Sequence, residues 1–161
     1  MRQILIRPDE LAVSEGDTVL MSLALGSSLA ICMYDQNRQI GGMVHTLLPL
    51  SHSGIVREAD KLRYVDSSVK ALCDALLARG AVLEDIRAKL AGGARIFCFS
   101  HTEQQHEVGR ENILCARQKL QELGIPLVSE DTGENYGRSV YFHTADGRLA
   151  IETVNRLRYW I

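Results

Sequence analysis

Three hydroxyls and one imidazole in the first third of the chain have the types and spacing for acyl-transfer chemistry: Ser22, Ser27, Ser28 and His45. A side-chain oxygen attacks an acyl carbon when a base removes its proton. The two groups need to meet in space and not in sequence. Gly26-Ser27-Ser28 reads as a tight corner between two strands. A backbone turning sharply at Gly26 can aim the N–H groups of Ser27 and Ser28 at one point, the arrangement that stabilises an oxyanion. His45 interrupts an otherwise apolar run that follows Gly41-Gly42, and there it can take or deliver the proton. On spacing alone, a satisfied core histidine and an ordinary turn are the commoner explanations of the same residues.

Other clusters carry less. His101, Glu103, His106 and Glu107 have ligand chemistry, but the HExxH spacing is absent and a solvated polar loop is expected, with no metal. Gly92-Gly93 reads as a bulge or sheet corner. Gly133–Arg138 has the look of a phosphate loop without the Lys-Ser/Thr ending or the following helix, so that reading is rejected. Asp131 and Arg138 are expected as an ion pair that shapes the final loop; an exposed pair would contribute little. His52 and His143 have no evident partner. Cys32, Cys73, Cys98 and Cys115 form no C-x-x-C pair, sit in apolar segments, and read as small buried hydrophobes in a reducing cytoplasm.

The elements that must position these groups follow from periodicity. Strands are expected over Gln3–Ile6, Asp17–Leu25, Leu29–Tyr34 and Ile40–Leu48, the last stopped by Pro49. Val69, Leu72, Cys73, Leu76 and Leu77 recur at helical spacing, with Asp66 or Ser67 as N-cap and Gly80 as stop. Arg87–Leu90 and Ala94–Phe99 flank the Gly pair as two strands or one kinked strand. A second helix carries Ile113, Ala116, Leu120 and Leu123 and ends at Gly124 ahead of Pro126. Leu127–Ser129 starts a strand, Glu130–Tyr136 is a polar loop, and Gly137–His143 and Leu149–Val154 form a hairpin through Asp146-Gly147. Residues 1–161 thus read as a single α+β domain, a sheet core with helices packed outside.

Composition agrees with a globular chain: 161 residues, 46% hydrophobic, net charge −2. There is no basic stripe for nucleic acid and no apolar run near the ~20 residues of a membrane span. Charges throughout Met1–Glu10 give no export signal, so a cytoplasmic location without membrane insertion is expected.

The whole chain resembles the chemoreceptor glutamine deamidase family CheD. The resemblance is carried in order by L-A-L-G-S-S-L-A-I (Leu23–Ile31), G-G-M-V-H-T-L-L-P (Gly41–Pro49), Y-V-D (Tyr64–Asp66), A-K-L-A-G-G-A (Ala88–Ala94), V-G-R-E-N (Val108–Asn112) and D-T-G-E-N-Y-G-R-S-V (Asp131–Val140). It implies packed mixed β-sheets with helices on the outside, similar to the cytotoxic-necrotising-factor-like cysteine deamidases. It also implies hydrolysis of selected glutamine side chains on chemotaxis receptors to glutamate and ammonia, without a cofactor. Receptor cytoplasmic helices are the implied partners, together with a CheC-like phosphatase. The family's catalytic Cys, His and Thr fall at Ser28, His45 and Ser22. Ser22 keeps the hydroxyl; Ser28 replaces a thiol. Three readings of Ser28 stay open, in this order: a replacement made in an active enzyme, an inherited change that leaves a chemotaxis binding module without chemistry, and a working serine amidase.

Overall fold

Residues 1–51, 53–95, 103–155 and 157–161 are described by the computed structural model. In chain order they form β1 (Arg2–Leu5), β2 (Glu10–Glu15), β3 (Thr18–Leu25), β4 (Leu29–Asp35), β5 (Ile40–Thr46), α1 (Val65–Ala78), β6 (Ile86–Gly92), α2 (Glu103–Leu123), β7 (Leu127–Thr132), β8 (Arg138–His143), β9 (Leu149–Thr153) and β10 (Arg158–Trp160). The strands build two five-stranded sheets, β1-β3-β8-β9-β10 and β2-β5-β4-β6-β7. Both are mixed: β1/β3 and β6/β7 are parallel pairs and the others antiparallel.

The sheets pack face to face. Leu20, Leu25, Val140, Phe142 and Ile151 of the first meet Ala30, Cys32, Met43 and Ala91 of the second. The second sheet's other face carries Leu29, Ile31, Met33, Val44 and Leu90 against Val69, Leu72 and Leu76 of α1 and Ile113, Ala116 and Leu120 of α2. The layers are therefore sheet, sheet, helices, an α+β fold with both helices on one outer face. All seven residues of β4 are buried. A strand covered on both faces reads as a continuous apolar run, which is why Leu29–Tyr34 shows no alternation.

Several boundaries differ from the sequence reading. β2 and β10 were not expected: both are short edge strands, and β10 has only three residues. β7 runs on to Thr132 through what reads as a polar loop, because each acidic residue there has an arginine partner, Glu130 with Arg117 and Asp131 with Arg138. α1 begins at Val65 with Tyr64 as its N-cap, so neither Asp66 nor Ser67 caps it. α2 begins at Glu103, inside the stretch read as a loop. β6 is a single strand ending at Gly92, and Gly92 and Gly93 turn the chain away with φ of 112° and 65°. The expected strand over Ala94–Phe99 lies outside the described residues beyond Arg95, as do His52, Cys98 and His101 and the side chains of Glu103 and His106.

Two of the places where the chain passes from one sheet to the other matter for the site. Ile6–Asp9 leads from β1 to β2, and Gly26–Ser28 leads from β3 to β4.

Candidate active site

The Gly26–Ser28 corner and the end of β5 meet at one end of the sandwich. In the β4/β5 ladder Ala30 stands opposite His45. Side chains two apart on a strand share a face, so Ser28 lies on the diagonal from His45, within reach of a long side chain. Ser28 Oγ and His45 Nε2 are 2.8 Å apart. Ser28 is half-buried and His45 is almost wholly buried, at 4% exposure. Burial lowers the His45 pKa from its ordinary value, and the Ile6 carbonyl and Asp9 push it back up in part. A neutral imidazole carrying its proton on Nδ1 offers the Nε2 lone pair to the Ser28 hydroxyl, as a general base must.

Ser22 is fully buried on β3, and its Oγ donates to the Ile6 carbonyl at 2.8 Å. It makes no hydrogen bond to His45. The Ile6 carbonyl also faces the imidazole, raising its pKa, although Nδ1 closes no hydrogen bond among the described residues. Ser22 therefore bears on His45 through Ile6. The Asp9 N–H donates to the His45 carbonyl at 2.9 Å, so the β1–β2 crossing holds the histidine from both sides.

The corner itself is held by backbone. Gly93 N–H donates to the Ser28 carbonyl and Ala94 N–H to the Gly26 carbonyl, both at 2.9 Å. A Cβ at Gly92 would lie 2.3 Å from the Ser28 oxygen, and one at Gly109 2.6 Å from the oxygens of Gly93 and Ala94. The glycines let β6 and α2 approach the corner at backbone distance. Neither the Ser27 nor the Ser28 N–H has an acceptor among the described residues.

Asn112 on α2 has no role that its sequence spacing reveals. It is fully buried, and its Nδ2 donates to the Ser27 carbonyl at 2.9 Å and the Leu47 carbonyl at 3.0 Å. The visible signal was a polar residue on a helical stripe whose neighbours Ile113, Ala116 and Leu120 are apolar. The expected ion pair of Asp131 and Arg138 forms, and its arginine is buried. Arg138 is 1% exposed, donates to Asp131 at 2.9 Å and to the Gly133 carbonyl, and Asp131 also accepts from Tyr159. It pins the 133–137 loop, whose Gly133 N–H and Glu134 carbonyl bond to Gly92 and Arg95 behind the corner. Cys32 is no alternative nucleophile: it is sealed between the sheets, and burial pushes its thiol far up. Among the described residues no group of three His, Cys, Asp or Glu side chains converges as a metal site would require.

Comparison with known proteins settles the ancestry. A family model described as CheD chemotactic sensory transduction matches residues 47–153. The chain belongs to the CheD family. The CheD match begins just after His45, so Ser22, Ser28 and His45 lie ahead of it while Asn112 lies within it. Relatives extend further: "Chemoreceptor glutamine deamidase CheD" of Halalkalibacterium halodurans is 34% identical over 85% of each chain. Proteins named "Probable chemoreceptor glutamine deamidase CheD" are 36% identical in Caldanaerobacter subterraneus, over 88% of this chain and 87% of that one, and 37% identical in Archaeoglobus fulgidus, over 99% and 98%. Among solved structures, Bacillus licheniformis hypothetical protein YfiH matches 76% of this chain and 50% of its own at TM-score 0.46 and 16% identity.

Proposed function

We propose that this chain is built as a protein-glutamine deamidase of chemotaxis receptors, with position 28 as nucleophile, His45 as base and Ser22 as the residue that steadies it. The observation that supports this reading is the 2.8 Å contact between Ser28 Oγ and His45 Nε2, in a family whose relatives carry that activity in their names. In the reaction the position-28 side chain attacks the carboxamide carbon while His45 Nε2 takes its proton. The oxyanion forms against the Ser27 and Ser28 N–H groups. The carbon–nitrogen bond breaks as His45 returns the proton to the leaving ammonia, and water then cleaves the acyl-enzyme. No cofactor enters.

Ser28 sets the rate. A thiol, with reference pKa about 8.5, becomes a thiolate beside an imidazole, whereas a serine hydroxyl needs its proton removed at the moment of attack. We infer an impaired deamidase in the Ser28 form. Its substrates are glutamines on receptor cytoplasmic helices, so we assign its work to the cytoplasm, and family resemblance supports a CheC-type phosphatase as second partner.

The test is a paired assay on a receptor cytoplasmic fragment, this chain against its Ser28→Cys version, with Gln-to-Glu conversion mapped by peptide mass. Conversion only by Ser28→Cys is the expected result. Equal conversion by both would make this a serine-dependent amidase or move the nucleophile elsewhere. Conversion by neither, with folded protein and a proven substrate, would sink the deamidase reading and leave a binding module.

A further inference from the structure

The Asn112 side chain carries a constraint that the three residues of the proposed mechanism do not supply. Its two amide hydrogens are both used, on the Ser27 carbonyl at 2.9 Å and the Leu47 carbonyl at 3.0 Å. The opposite amide orientation would set its oxygen against two carbonyl oxygens, so the chemistry fixes which end donates. Its Oδ1 is buried without a partner among the described residues. The two acceptors are far apart in sequence but both border the site: one immediately precedes Ser28, and the other lies two residues after His45.

The Ser27 carbonyl is one half of a planar peptide group whose other half is the Ser28 N–H. Fixing the oxygen fixes the direction of that N–H, which has no acceptor among the described residues. A hydrogen bond to the carbonyl end also polarises the N–H end of the same amide. The Ser28 carbonyl is held independently by Gly93. Gly109, Asn112 and Ile113 share one face of α2 at i, i+3 and i+4; Gly109 packs on Gly93 and Ala94 and Ile113 on Gly93, the two residues whose N–H groups hold the corner.

We propose that Asn112 is the positioning residue of the oxyanion site: it orients the Ser27–Ser28 peptide so that the Ser28 N–H points at the developing oxyanion, and ties that peptide to the chain beyond His45. This rests on reading the Ser28 corner as an acyl-transfer site.

Two reactions at one atom separate this role from simple scaffolding. Alkylation by iodoacetamide needs only the nucleophile and its base, whereas acetyl transfer from p-nitrophenyl acetate passes through an oxyanion. In acetyl transfer the introduced thiolate attacks the ester carbonyl, the sulfur–carbon bond forms, and nitrophenolate leaves. Both rates are measured on the Ser28→Cys protein by peptide mass at position 28, with and without Asn112→Leu, which keeps the volume, and Asn112→Ala. Loss of one aligned oxyanion donor lowers rates about 10²–10³-fold, so a misaimed donor is expected to lower acetyl transfer about tenfold or more, with alkylation changed less than about twofold. A parallel fall in both rates, or unchanged acetyl transfer, would overturn the proposal. Alkylation also reports that each variant has kept its folded site. The ratio does not involve glutamine, so it stands or falls separately from receptor deamidation.

Discussion

Ser28 Oγ and His45 Nε2 lie 2.8 Å apart across 17 positions of sequence because Ala30 and His45 are register partners in the β4/β5 ladder. The register does more than bring them near. A slip by one residue would turn His45 to the face that packs on the helices. The imidazole would then leave the hydroxyl, and the apolar layer beneath α1 would receive a polar ring.

The first prediction concerns the charge on that imidazole. Burial dominates and holds the His45 pKa below its ordinary 6.5. The folded state thus takes up the proton less readily than the unfolded one. The stability contributed by neutral His45 is complete above pH 6.5 and is lost as pH falls through the folded midpoint. Proton NMR titration, with the signal assigned by its loss in His45→Gln, is expected to give a midpoint below 6.5. A midpoint above 6.5 would mean that the Ile6 carbonyl and Asp9 outweigh desolvation.

Ser22 is expected to act at one remove. Ser22→Ala leaves the Ile6 carbonyl without its donor, at about 1 kcal/mol of stability, and releases the segment that faces His45. On the Ser28→Cys background, deamidation should fall on the order of tenfold through lost alignment, with Ser22→Thr retaining the rate because it keeps the hydroxyl. Equal rates for Ala and Thr would remove Ser22 from the site.

Gly109 offers a test of the close approach between α2 and the Gly93-Ala94 segment that holds the corner. Within a helix, Gly→Ala ordinarily gains about 1 kcal/mol. Here the new methyl would sit 2.6 Å from two carbonyl oxygens, so Gly109→Ala is expected to destabilise by about 1–3 kcal/mol in urea unfolding. Gln118→Ala, on an exposed position of the same helix, should stay within about 0.5 kcal/mol.

The buried Arg138 predicts an asymmetry. Asp131→Asn removes the partner of a guanidinium with no exposed side-chain surface and is expected to destabilise by about 3–5 kcal/mol. Replacing both, as Asp131→Leu with Arg138→Met, should recover much of that loss, because no charge is then left stranded. Denaturant midpoints of the single and double variants decide it.

Local rules determine several of these elements from sequence. Helical spacing marks the buried stripe of α1, since Val69, Leu72 and Leu76 repeat with the turn of the helix. Asp146-Gly147 marks the β8–β9 hairpin, where Gly147 adopts φ of 76°. The Gly26-Ser27-Ser28 corner was visible because glycine and short polar residues suit a sharp change of direction. The family resemblance then singled out Ser22, Ser28 and His45.

Tertiary structure decided what depends on partners distant in sequence. Glu130 and Asp131 read as loop residues because a short acidic stretch has no local reason to be a strand; it becomes one beside β6, with Arg117 and Arg138 taking the carboxylates. Spacing pairs Asp131 with Arg138 but leaves the depth of the pair open, because burial is a property of the packed layers and not of spacing. Asn112 reads as one polar residue in a helix until its amide is found on the Ser27 carbonyl, 85 positions away. Periodicity reports which face of an element is apolar, but the contacts that aim a peptide plane arise only when separate elements pack together.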